Sequence, residues 1–189
     1  MIGHRKPAPS GFWSAFSGSA RWILVGLTAT LAVVAVFFVN DIGARLALIV
    51  LCPLAAAAAI IDFRTHRIPT WHAVVSGLVA LSACIVLAVV GRSWTPLIAG
   101  LAAGAVVGIF FLALWRFTGL GLGDVRLATA LAPITGMLGW QTVVAFVVLT
   151  HLLAVPFALW ALARRRRDVP FAPAIVGGLY LAVALAALM

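Results

Sequence analysis

The chain has 189 residues, 65% of them hydrophobic and 9% charged, with 13 Lys and Arg against 4 acidic residues and a formal net charge of +9. This composition excludes a water-soluble globular domain and indicates a polytopic membrane protein. The basic residues sit in short runs between apolar blocks and form no continuous face, which argues against a nucleic-acid partner and reads as a set of topology signals.

A basic tail, 1–21, precedes the first apolar block, 22–39. No small-residue cleavage site follows that block, so it reads as a retained span and not as a signal peptide. Residues 22–189 read as a single transmembrane domain, with the 22–39 helix accessory to it. A spanning helix needs about 20 apolar residues, which places further spans at 43–61, 71–90, 95–115, 125–138, 140–163 and 172–189. The block 125–163 is too long for one span, and "ITGMLGWQ" (134–141) supplies the glycines and polar residue of a tight connection. Its first half then covers only about 21 Å of a core of about 30 Å, so it requires either shielding by neighbouring helices or a thinned bilayer. The expected fold is all-α, with about seven transmembrane helices and a cytoplasmic N-terminus. That orientation places eleven basic residues inside (Arg5, Lys6, Arg21, Arg64, Arg67, Arg116, Arg126 and Arg164 to Arg167) and two outside, Arg45 and Arg92.

Several residues have ordinary readings. Cys52 and Cys84 lie in apolar blocks without a C-x-x-C partner and read as small packing residues, not as metal ligands. Trp22, Trp71, Trp94, Trp115 and Trp140 cluster at span ends as an interfacial belt. Gly100, Gly104 and Gly108 repeat at the spacing of close helix packing, either within the chain or as a homodimer face. His66 and His72 lie near the polar turn after the second span, and His151 lies inside the sixth, where a cross-helix hydrogen bond is the plain reading and a proton relay the sharper one.

All four acidic residues are Asp. Asp41 and Asp168 fall in turns and read as solvated loop carboxylates. Asp62 instead ends an apolar run in "AAAAAIIDFRTHRIPTWH" (55–72), and Asp124 opens a helix in "GLGLGDVRL" (119–127). Taken singly, Asp62 reads as a partner of Arg64 or Arg67, and Asp124 as a helix cap. Topology brings the two to the same cytoplasmic edge. Gly119, Gly121 and Gly123 leave the backbone beside Asp124 bare, permitting unusual dihedrals and the approach of an extended peptide. Two such carboxylates suit aspartyl proteolysis, in which a shared proton makes one a base and the other an acid. The helix ends favour Asp124, at a positive N-terminus, as base, with Asp62 keeping the proton at a negative C-terminus. No metal or other cofactor is called for.

At these residues the sequence resembles the type IV prepilin peptidases, membrane aspartyl proteases that share G-x-G-D with the presenilin-like enzymes. "DFRTHRIPTW" (62–71) is similar to the family's first aspartate motif, "GLGDVRLATALAPITGMLGW" (121–140) to its second, and "VPFAPAIVGG" (169–178) to its late P-F-G-P segment. Thr70, Arg126 and Ala172 stand where the family usually has Asn or Asp, Lys, and Gly. The resemblance implies catalysis by Asp62 and Asp124, with Gly121, Gly123, Arg126, Pro69 and Arg64 as substrate-binding or supporting residues. It implies a prepilin-like membrane protein as substrate, cut after a glycine at the end of a short basic leader. The expected location is the cytoplasmic (inner) membrane, with the site facing the cytoplasm. The larger members' paired C-x-x-C segment, associated with N-methylation, has no counterpart, so the chain is similar to the protease-only form of Tad or Flp pilus systems. Two other readings remain open: a proton- or cation-coupled transporter component, and a non-catalytic scaffold of a pilus or secretion assembly.

Overall fold

The computed structural model describes residues 19–38, 42–65, 68–165 and 169–188. Residues 1–18 of the basic tail, Asp41, His66, Arg67, Arg166, Arg167 and Asp168 lie outside the described residues. Among the described residues the chain forms seven α-helices and no strand: α1 (Ser19–Phe38), α2 (Ile42–Thr65), α3 (Thr70–Val90), α4 (Thr95–Thr118), α5 (Leu122–Met137), α6 (Trp140–Ala163) and α7 (Ala172–Ala186). Four of them, α2, α3, α4 and α6, are long and apolar enough to cross a membrane, and α1 and α7 hold shorter apolar stretches. The protein is therefore an all-α, multi-pass membrane protein.

Burial sorts the helices into two groups. In α3 the buried residues His72, Ala73, Ser76, Ala80, Cys84 and Ala88 follow one stripe, and the remaining face presents Val74, Leu78, Ile85 and Val89 outward. α4 and α6 divide in the same way, as helices with one lipid-facing side do. By contrast, α2 is buried without interruption from Ala55 to Asp62, α5 buries most residues from Asp124 to Gly136, and α7 exposes only Leu181 and Leu185. These three form an inner layer wrapped by the other four.

Lipid is as apolar as leucine, so helix contact here is driven by close packing and not by removal of apolar surface from water. Small residues make that possible. A Cβ at Gly100 would lie 2.8 Å from Cys84 Sγ and 3.2 Å from the Pro133 carbonyl, and one at Gly108 would lie 3.0 Å from Thr129 Oγ1. The glycine stripe of α4 is thus filled by α5, with Cys84 of α3 at one end. This selects the internal-packing reading, and the stripe supplies no face for a second copy.

The same contacts account for the short α5. Its 16 residues cover about 24 Å, and α3, α4, α6 and α7 surround it, so neighbours shield it in place of lipid. The break after α5 falls at Gly139, whose φ of 117° and ψ of 160° only glycine adopts easily. Elsewhere the boundaries move. α2 continues a turn past the sequence-based limit, to Thr65, because a charge at position 62 ends an apolar window without ending the helix. α7 stops at Ala186.

A buried hydroxyl also joins two helices of this layer. The Tyr180 hydroxyl of α7 donates to the Leu48 carbonyl of α2 at 2.9 Å, with Cys52 Sγ 3.2 Å away. Cys52 and Cys84 are free and buried, as packing residues are. The five tryptophans of the expected belt are all exposed near helix ends.

We expect Gly100→Val and Gly108→Val each to destabilise the detergent-solubilised protein by about 1 to 3 kcal/mol through overpacking. Gly26→Ala, whose Cβ would meet nothing within 4 Å, should leave stability unchanged. Thermal melts that follow the exposure of Cys52 and Cys84 to a thiol-reactive dye would measure both; equal effects at the three positions would contradict the packing assigned to α5.

Candidate functional site

The three inner helices end together at one side of the bundle. Asp62 lies near the C-terminal end of α2, Asp124 in the first turn of α5, and Ala172 at the first position of α7. Asp62 is 5% exposed and Asp124 8%, so both carboxylates are withdrawn from solvent. An open cavity of about 300 Å³ joins them, lined by Asp62, Ile68, Gly121, Leu122, Gly123, Asp124 and Arg126.

Local sequence explains how each wall is built. α4 ends at Gly119, whose φ of 77° is left-handed and suits glycine. Two residues later Gly121 is the N-cap of α5, with φ −69° and ψ 138°, an ordinary extended conformation. Its lack of a side chain matters for space instead: a Cβ there would lie 2.8 Å from Asp124 Oδ2. The Asp124 carboxylate therefore folds back over the helix start. A Cβ on Gly123 would meet the Ile68 Cβ at 3.1 Å, so that glycine lets α5 approach the segment leading into α3.

The N-cap residue itself is Gly121, and the Asp124 carboxylate folds back onto the Gly121 backbone, as an acid in the first turn does when it caps a helix start. For Asp62 the structure supplies a partner that the sequence did not suggest. Its Oδ2 accepts a hydrogen bond of 2.9 Å from the Ala172 backbone N–H, inside the protein. Asp62, like Asp124, thus faces a helix N-terminus, so helix polarity does not distinguish the two carboxylates as their positions in the sequence suggest.

The other candidate residues separate into those at the cavity and those beside it. Arg126 lines it, and its Nη1 donates to Thr70 Oγ1 at 2.8 Å, tying α5 to the start of α3. Thr70, in the place where the resemblance usually has Asn or Asp, thus serves as acceptor for the guanidinium. Pro69 is the N-cap of α3, and its carbonyl accepts from the His72 N–H at 3.0 Å, so it shapes the turn while Ile68 forms the wall. Arg64 is exposed in the last turn of α2 and is not among the cavity-lining residues. His72 is buried and its ring lies 3.8 Å from that of Trp71. His151 Nδ1 sits 2.7 Å from the Val147 carbonyl of its own helix, so the expected cross-helix hydrogen bond is replaced by a local one. Among the described residues, no three His, Cys, Asp or Glu side chains converge as a metal site.

A protein-family model, described as the type IV leader peptidase family, matches residues 49–159, a stretch that includes both Asp62 and Asp124. The chain belongs to the type IV leader peptidase family. It is accordingly a peptidase, a hydrolase acting in a membrane setting, and the family implies prepilin-like substrates. No curated protein and no solved structure matches the chain. The matched stretch ends before α7, although α7 supplies the hydrogen bond to Asp62.

Ile68 and Leu122 at the cavity, and Ala172 beside Asp62, carry little functional signal in the sequence. Ile68 brings no chemistry of its own, although an apolar residue that packs against a bare glycine is a structural contributor. Ala172 acts through its backbone N–H, a group that every residue except proline carries, so the residue type held no signal.

Gly121→Ala should force the Asp124 carboxylate from its place and lower kcat by on the order of 10²-fold, with thermal stability little changed. Cleavage of a prepilin-like substrate by the purified variant tests this. Wild-type turnover would show that the close approach at Gly121 has no part in placing Asp124.

Proposed function

We propose that this protein is an aspartyl endopeptidase that removes the short basic leader of prepilin-like membrane proteins, with Asp62 and Asp124 as its catalytic pair. The observation that carries this reading is the shared cavity: two buried carboxylates from different helices line one open space of about 300 Å³, beside glycines that leave its rim bare. Like charges in a site withdrawn from water cannot both be ionised at low cost, so the pair holds a single proton near neutrality.

The chemistry then needs only the two side chains and water. The charged carboxylate takes a proton from water as the water oxygen bonds to the scissile carbonyl carbon. The protonated carboxyl gives its proton to the carbonyl oxygen, which yields a tetrahedral diol. The carbon–nitrogen bond breaks as the first carboxyl passes its proton to the departing nitrogen, and the second recovers a proton from a diol hydroxyl. One water is consumed, and a carboxylic acid and an amine leave.

Depth and charge support the rest of the reading. The cavity lies between the end of α2 and the start of α5, where the apolar segments give way to polar turns, the level at which a substrate helix would pass into its polar leader. The segments around it carry Arg64, Arg116 and Arg126, on the side that holds eleven of the thirteen basic residues when the N-terminus is cytoplasmic. That bias supports a site facing the cytoplasm in the inner membrane. An extended leader segment would lie against Gly121 and Gly123, with the Arg126 guanidinium fixed beside it by Thr70.

Co-expression with a prepilin-like protein from the same genome, scored by the gel shift of the shortened product, tests the function. Asp62→Asn and Asp124→Asn should each reduce leader removal by on the order of 10²- to 10⁴-fold. Undiminished removal by either variant would reject the pair.

A further inference from the structure

α7 begins short of the end of its neighbour α6. Gly178 packs on the backbone of Thr150, where a Cβ would lie 2.8 Å from the Thr150 nitrogen. Beyond Thr150, α6 runs on to Ala163, about 20 Å, while α7 starts at Ala172, about 9 Å before Gly178. The start of α7 is thus about 10 Å short of the end of α6. A helix N-terminus withdrawn from water must find acceptors for its free N–H groups.

The first turn of α7 meets most of that demand itself. The Ala174 and Ile175 N–H groups reach the Phe171 carbonyl at 3.0 and 3.1 Å, and Pro173 has no N–H. The Ala172 N–H is left, and it donates to Asp62 Oδ2. Phe171, just before it, is wedged by ring contacts with His151 at 5.9 Å and Phe111 at 6.3 Å, which fix the direction of that N–H. Across the cavity, Asp124 Oδ1 is buried with no hydrogen-bond partner among the described residues. Both carboxylates face a helix start, and the Gly121 backbone lies beside Asp124, but Asp62 is held by the 2.9 Å bond from Ala172 while Asp124 keeps Oδ1 open to bear a proton.

We propose that the Ala172 backbone N–H is a positioning group of the active site, which holds Asp62 as the charged, water-activating member and leaves Asp124 to carry the proton. The inference rests on the aspartyl peptidase reading above and reverses the roles that the helix ends suggest in the sequence. Asp62 takes the proton of the attacking water and later passes it to the departing nitrogen. Asp124 protonates the carbonyl oxygen and regains a proton from the diol as the carbon–nitrogen bond breaks.

Among the described residues the other titratable groups around Asp62 are few. α5 brings Asp124 and Arg126 to the same cavity, α3 carries the buried His72 and Cys84, and α2 itself carries the exposed Arg64. α7 carries only Tyr180, which is engaged at Leu48, and the described side chains of α1 carry none.

Replacing Ala172 with its α-hydroxy acid counterpart converts the amide to an ester and deletes only the N–H. The probe substrate is a synthetic peptide with a basic leader, a glycine and an apolar helix of about 20 residues, cleaved in detergent across a pH series. If Asp62 is charged in the working form, loss of the N–H raises the acid limb of kcat/KM by about one to two pH units and leaves the alkaline limb in place. Ala172→Gly, which keeps the N–H, should move neither limb. An alkaline limb that moves instead would overturn the assignment, and limbs that both stay fixed would overturn the positioning role. If the ester variant does not fold, carboxyl-¹³C aspartate NMR of the intact wild-type protein reads the same assignment. Asp62 ionised and Asp124 protonated at neutral pH supports it, and the reverse overturns it. Cleavage retained in Asp62→Asn would reject the peptidase pair itself, whereas inactive Asn variants with unmoved limbs would reject only the role of Ala172.

Discussion

Withdrawing two carboxylates and a helix start from bulk water is the constraint on which the rest of this structure depends. Each of these groups is costly alone in an apolar medium. Asp62 and the α7 N-terminus offset one another directly, through a buried hydrogen bond from Ala172. Asp124 relies on the bare backbone of Gly121 for room and on the opening of α5 for a favourable dipole. The cavity between them is what remains once these demands are met.

The architecture follows from keeping these groups in place. Three helix ends must converge, so α2, α5 and α7 occupy the interior and the outer helices seal them from lipid. α5 is too short to span alone and is seated against the glycine face of α4, where Pro133 and Thr129 crowd the space that side chains at Gly100 and Gly108 would take. Tyr180 fastens α7 to α2 through the Leu48 carbonyl, more than two turns from Ala172. Because that contact and the Asp62 bond join the same two helices, a shift of α7 would disturb both. The tether from Arg126 to Thr70 holds α5 to α3 in the same way, at the rim.

Much of this was legible in the sequence, for identifiable reasons. Apolar blocks separated by basic turns gave seven helices in their observed order, and the glycines of "ITGMLGWQ" divided the long block at Gly139. The two aspartates stood out because an acidic residue beside an apolar run requires an explanation. What was not legible depended on contacts between distant helices. Whether the glycine stripe of α4 faced α5 or a second copy is a matter of three-dimensional packing that its spacing does not encode. The end of α2 was placed a turn early because a hydropathy window closes at a charge while the backbone continues to Thr65. The donor to Asp62 is a main-chain group, and nothing in the identity of Ala172 marks it.

The central claim is that the site is complementary to a tetrahedral diol held between two carboxylates. Its most direct test is the affinity of the purified protein for a leader peptide whose scissile amide is replaced by a hydroxyl-bearing carbon isostere, compared with the uncleaved amide in a slow variant. The account predicts that the wild type binds the isostere at least about 100-fold more tightly, as transition-state mimics are bound, and that Asp62→Asn and Asp124→Asn each lose that preference. Equal affinity for the isostere and the amide in the wild-type protein would contradict it.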